Sequence, residues 1–88
     1  MSKDYQLPNF HVLQIKFHGA TNTLGARVSI YSPRFLQRVY LEFDYDSDST
    51  IMTALKWLIP HGFSITGKAE FKDSYVLFSD TFKQLRSK

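Results

Sequence analysis

Four stretches of this chain alternate as strands, a fifth reads as a strand and one repeats as a helix, and that imbalance constrains its fold more than any other feature. Leu13, Ile15 and Phe17 alternate with Gln14, Lys16 and His18. Ala26, Val28 and Ile30 alternate with Arg27, Ser29 and Tyr31, and Val39, Leu41, Phe43 and Tyr45 with Arg38, Tyr40, Glu42 and Asp44. Further on, Phe63, Ile65, Gly67, Ala69 and Phe71 alternate with Ser64, Thr66, Lys68 and Glu70, and Tyr75 to Ser79 forms a last strand. Alternation of this kind marks strands with one buried face. Between the third and fourth strands, Ile51, Ala54, Leu55, Leu58 and Ile59 fall on one face of a helix, with Trp57 at its margin. Asp46 to Thr50 offers Ser and Asp caps and negative charge for the positive end of the helix dipole. Pro60 and Gly62 mark its end.

The order is β-β-β-α-β-β, with the first three strands an antiparallel meander joined through Thr21–Gly25 and Ser32–Arg34. A lone helix covers one face of a sheet and leaves the other bare. The fold class is therefore α+β and two-layered: a curved antiparallel sheet covered on one face by a single helix. The bare face must meet solvent, another protomer or a ligand.

A chain of 88 residues forms one domain and buries roughly 60–65% of its unfolded surface, so its core is thin. Eight Phe and five Tyr supply enough apolar area to argue against disorder. Residues 1–9 are expected as a flexible arm, 10–85 as the domain and 86–88 as a frayed end, with a short helical turn over Asp80–Leu85. Without cysteine the chain has no disulfide, thiolate metal site or thiol nucleophile. Met1–Pro8 lacks the apolar run of an export signal, and Ala54–Pro60 is far too short to span a bilayer, so a cytoplasmic protein with no membrane contact is expected.

The polar phase of the strands carries the functional signal. It interleaves Lys16, Arg27, Arg38 and Lys68 with Tyr31 and Tyr40. Cations that track phosphates, mixed with aromatic faces that stack on bases, are how single-stranded nucleic acid is held. Those six residues are the candidate nucleic-acid contacts, and the formal net charge of +3 is of the right sign. The same residue types also make an ordinary solvated strand face, and Glu42 and Glu70 dilute the positive charge. Thr21, Asn22, Thr23 and Gly25 form a candidate anion-binding loop whose amides, with Arg27, would surround a phosphate. The alternative there is a hairpin turn, with Asn22 and Gly25 left-handed and the Thr hydroxyls on backbone amides.

Other chemistries find less. Asp44–Asp48 opens like a calcium loop but has Ser49 where the required Gly belongs and Leu55 where the closing Glu belongs, so helix capping explains it better. His11, His18 and His61 show no metal-ligand spacing, and His61 is placed to favour a helix C-terminus when protonated. No nucleophile elbow or phosphate-binding Gly loop is present. The expectation is a non-enzymatic binding module without metal or cofactor. The leading partner expected is single-stranded DNA or RNA. The alternatives are a protein partner, such as a host defence protein that it inhibits, or a second copy of itself.

The segment Thr21-Asn22-Thr23-Leu24-Gly25-Ala26-Arg27 resembles a T-N-T-x-G-x-R stretch in a group of short bacterial proteins found near phage and plasmid genes. The Asp44-Tyr45 pair and the Gly62-Phe63 pair after the helix add to the likeness. The resemblance implies a setting, a cytoplasmic accessory protein of a mobile element. It implies no activity and no site residue.

Overall fold

The computed structural model describes residues 9–43 and 49–86. The strands are β1 (His11–His18), β2 (Arg27–Ser32), β3 (Gln37–Glu42), β4 (Ile65–Glu70) and β5 (Tyr75–Ser79), with α1 (Thr50–Leu58) between β3 and β4. They form one antiparallel sheet in the order β3-β2-β1-β5-β4, and α1 packs over β1 and β2. The two-layer α+β class follows directly from the alternation. The meander of β1 to β3 forms one half of the sheet, and the β4–β5 hairpin adds to the free side of β1. Residues 1–8 of the arm expected over residues 1–9, Asp44–Asp48 and the last two residues lie outside the described residues.

Alternation decides what the helix covers. Leu13 and Ile15 of β1, Val28 and Ile30 of β2 and Leu77 of β5 meet Ala54 and Leu58 of α1 in a core closed by Phe63 and Leu85. Val39, Leu41, Phe43, Leu55, Trp57, Ile65 and Tyr75 pack around it. At one end Phe17 and Phe43 meet edge to face, with centroids 5.2 Å apart.

Ser49 caps α1: its backbone is extended and its Oγ accepts the Met52 amide at 3.2 Å. Pro60 cannot continue the ladder, and the chain turns through Gly62, whose φ of 94° is left-handed. The Phe63 amide then bonds the Leu58 carbonyl at 3.1 Å, which aims Phe63 into the core. Ile59 belongs to the apolar stripe by spacing yet is 60% exposed, because it is the C-cap, beyond the turns that rest on the sheet.

Two features depart from the sequence expectations. The register of β4 against β5 shifts between Ile65 and Gly67, a bulge that reverses which face the rest of β4 presents. And Asp80–Leu85 forms no helical turn. Side chains satisfy this segment's backbone instead. The Gln37 Oε1 accepts the Leu85 amide at 2.7 Å and the Arg86 amide at 3.3 Å. Ser79 Oγ accepts the Thr81 amide at 2.9 Å. His11, fully buried, bonds the Thr81 carbonyl through Nδ1 at 3.0 Å and the Ser32 hydroxyl through Nε2 at 2.7 Å. A carbonyl only accepts, so Nδ1 carries a proton. The segment is thus stitched across the strand ends while Leu85 is drawn into the core.

Candidate functional site

Strand register assembles a patch on the face α1 leaves bare. Gln14, Tyr31 and Arg38 lie side by side across β1, β2 and β3. Lys16, Ser29 and Tyr40 form the next row, and His18, Arg27 and Glu42 the one after. Directly opposed residues of antiparallel strands point the same way. Five of the six candidate contacts, Lys16, Arg27, Tyr31, Arg38 and Tyr40, are therefore brought together.

Lys68 is not among them. It lies opposite Leu77, whose partner on β1 is the core residue Leu13, so it projects from the helix-covered side at the sheet's edge. There it pairs with Glu70 at 2.6 Å. Strict alternation puts Lys68 in phase with Lys16; the bulge after Ile65 shifts that phase. Gly67 and Ala69 take its place on the bare face, opposite Phe78 and Val76. That half of the face is apolar: Val12 lies beside Phe78, and the Phe10 ring is 6.1 Å from that of Phe78.

The cationic half is pre-arranged. The Arg38 guanidinium sits 4.7 Å from the Tyr31 ring and that of Arg27 4.9 Å from the Tyr40 ring, both within cation–π range. Among the described residues no carboxylate lies within ion-pair distance of Lys16, Arg27 or Arg38. The Nε of Arg27 is buried without a hydrogen-bond partner. His18 bonds the Ser29 hydroxyl through Nε2 at 2.9 Å. Burial, then the charges of Arg27, Lys16 and Arg38, hold its pKa below the ordinary histidine value. A groove of about 460 Å³ runs along the patch, floored by strand residues from Gln14 to Arg38 and by Val76 of β5, and bordered by Phe71, Asp73 and Ser74. Phe71 is 61% exposed at the mouth of the β4–β5 turn, where its amide bonds the Ser74 carbonyl at 2.8 Å.

No family model matches the chain, no curated protein matches its sequence, and no solved structure matches it. What the patch does therefore rests on its own chemistry.

The Thr21–Gly25 loop is a turn. Thr21 Oγ1 accepts the amides of Leu24 at 3.0 Å and Thr23 at 3.4 Å, and the Thr21 amide bonds the Leu24 carbonyl at 2.8 Å. Three of the amides an anion would need are used within the loop, and Arg27 turns from it onto Tyr40. Asn22 and Gly25 do not take the left-handed conformation; among the described residues that falls to Leu36 and Gly62.

The patch also contains residues that the alternation placed on the face without marking as contacts. His18 and Ser29 are the clearest. The alternation placed Phe71 in phase with the buried residues of β4; the bulge turns it toward the bare face, and the hairpin folding back beside β1 brings it and Asp73 to the groove. Elsewhere, His61 stacks on Trp57 at 3.9 Å and bonds the Trp57 carbonyl through Nδ1 at 2.6 Å, closing the end of α1. Among the described residues no three His, Asp or Glu side chains gather as a metal site, and no helix is long and apolar enough to cross a membrane.

Proposed function

We propose that this chain is a non-enzymatic module that binds single-stranded nucleic acid on the bare face of β1, β2 and β3. The observation that carries the reading is the convergence of Lys16, Arg27 and Arg38 with Tyr31 and Tyr40 on one uncovered surface, with no carboxylate paired to the cations among the described residues. Cations held at strand spacing, with no ion-pair partner among the described residues, suit a phosphate backbone. Tyrosines and stacked guanidiniums suit bases, which gain ~1–3 kcal/mol each from aromatic stacking. In the mobile-element setting implied by the Thr21–Arg27 resemblance, a cytoplasmic module of this kind would accompany single-stranded intermediates.

The apolar half of the same face favours a second reading, a protein partner. Val12, Phe78 and the exposed Phe10 offer a contact surface that salt would not weaken.

Fluorescence anisotropy of a labelled single-stranded oligonucleotide at two salt concentrations separates them. The nucleic-acid reading expects binding that weakens with salt and is lost in the Arg27→Ala/Arg38→Ala protein while its thermal unfolding stays nearly unchanged. Absence of binding at low salt would reject it in favour of the protein partner.

A further inference from the structure

The groove between Tyr31 and Phe71 contains a histidine that the general charge argument does not use. We propose that this groove seats one nucleotide of a bound single strand, its phosphate held by Lys16, His18 and Arg38 and its base lying against Phe71. The proposal rests on the nucleic-acid reading and deepens it.

Three observations converge. First, the groove's volume of about 460 Å³ falls in the ~300–1,000 Å³ range of small-ligand sites. Second, its lining is chemically divided. Lys16, His18 and Arg38 project from the sheet floor, whereas Phe71 stands on the opposite wall with most of its ring in solvent. A ligand with an anionic part and a flat apolar part matches that division; a free anion uses only one side of it. Third, His18 is held in place. Its Nε2 is fixed on Ser29, itself 4% exposed, and its ring packs 5.6 Å from Tyr40.

The charges around His18 give the seat a signature. From its own strand it meets Lys16, from β2 Arg27, and from β3 Arg38, with Tyr40 and Glu42 beside them. Asp73 of the β4–β5 turn lines the same groove. Burial and the three cations favour neutral imidazole in the free protein. A phosphate among those cations cancels their field and stabilises imidazolium. The sign follows from linkage. A ligand that raises the pKa of a group binds more tightly as pH falls through the interval between the free and bound values, by at most about tenfold per pH unit for one proton. Affinity should therefore rise on acidification from pH 7.5 to 5.5.

The test follows the His18 imidazole resonances by NMR over pH 5–8 in the protein alone, with inorganic phosphate, and with a short single-stranded oligonucleotide. The affinity of that oligonucleotide is measured over the same range for the native protein, His18→Gln and Phe71→Ala. The proposal expects the oligonucleotide to raise the His18 midpoint, affinity to climb at low pH in the native protein and stay flat in His18→Gln, and Phe71→Ala to bind several-fold more weakly. If the oligonucleotide binds but leaves the His18 midpoint and the pH profile unmoved, the nucleotide seat is overturned and the wider interface stands. If inorganic phosphate moves His18 while no oligonucleotide binds, the site takes a small anion and both the nucleotide seat and the nucleic-acid reading fall. If no oligonucleotide binds and phosphate leaves His18 unmoved, both are overturned as well.

Discussion

At the scale of single residues, the most informative side chains are those whose surroundings contradict their type. His18 is partly desolvated and sits among cations, so folding disfavours its protonation. A histidine with a depressed folded pKa leaves the unfolded state binding more protons, and stability rises with pH through that interval. Acidification from about pH 7 through the ordinary histidine value near 6.5 should therefore cost stability, and His18→Gln should flatten that part of the slope. Denaturant unfolding of both proteins at pH 5, 6, 7 and 8 measures it; equal slopes would mean His18 does not feel the cluster. Leu36 is the opposite case, a side chain 77% exposed on a backbone with φ of 56°. Left-handed backbone costs a residue of this kind about 1–2 kcal/mol, and Asn tolerates it better. Leu36→Asn is expected to raise stability by about 0.5–1 kcal/mol, seen as a higher Tm. Neither environment was legible in the sequence. Leu36 follows a plain Pro-Arg-Phe turn, and the charge around His18 depends on the register between the strands of the meander, which alternation does not state.

Elements were legible where their own periodicity specified them and illegible where a neighbour did. The meander and helix follow from alternating residues and from Ser49, Pro60 and Gly62, all local signals. The bulge in β4 is a property of its pairing with β5, so Lys68 could not be excluded from the binding face by counting residues. The segment after β5 carries helix-compatible residues, but Gln37, Ser79 and His11 claim its backbone. This makes the segment part of the fold. Leu85→Ala, which empties a core position 5% exposed, is expected to destabilise by about 2–4 kcal/mol. His11→Leu, which leaves the Thr81 carbonyl and the Ser32 hydroxyl short of a partner, should destabilise by about 2–3 kcal/mol. Chemical denaturation measures both; a change below about 0.5 kcal/mol, the range of an ordinary surface substitution, would mean the segment is not integral to the domain.

The whole molecule is asymmetric because it has one short helix. With α1 over β1 and β2, the opposite face keeps a cationic, aromatic half on β1 to β3 and an apolar half on β4 and β5. That a face would be left bare was legible from the ratio of strands to helices, and so was the position on it of five of the six candidate contacts. Its division into two halves was not, because the sequence does not say that β5 inserts beside β1. If three cations of the patch each engage one phosphate, the logarithm of affinity for a single strand should fall against the logarithm of salt concentration with a slope of about −2. A slope near zero would indicate a contact made by the apolar half instead. The most direct test of the account maps the contact on the protein itself, by following backbone amide resonances as an unlabelled single-stranded oligonucleotide is added. Binding on the bare face of β1 to β3 predicts shifts concentrated in Gln14–His18, Arg27–Tyr31 and Arg38–Glu42, with α1 and the Thr21–Gly25 turn unmoved. Shifts centred on α1 or on that turn, or none at low salt, would contradict it.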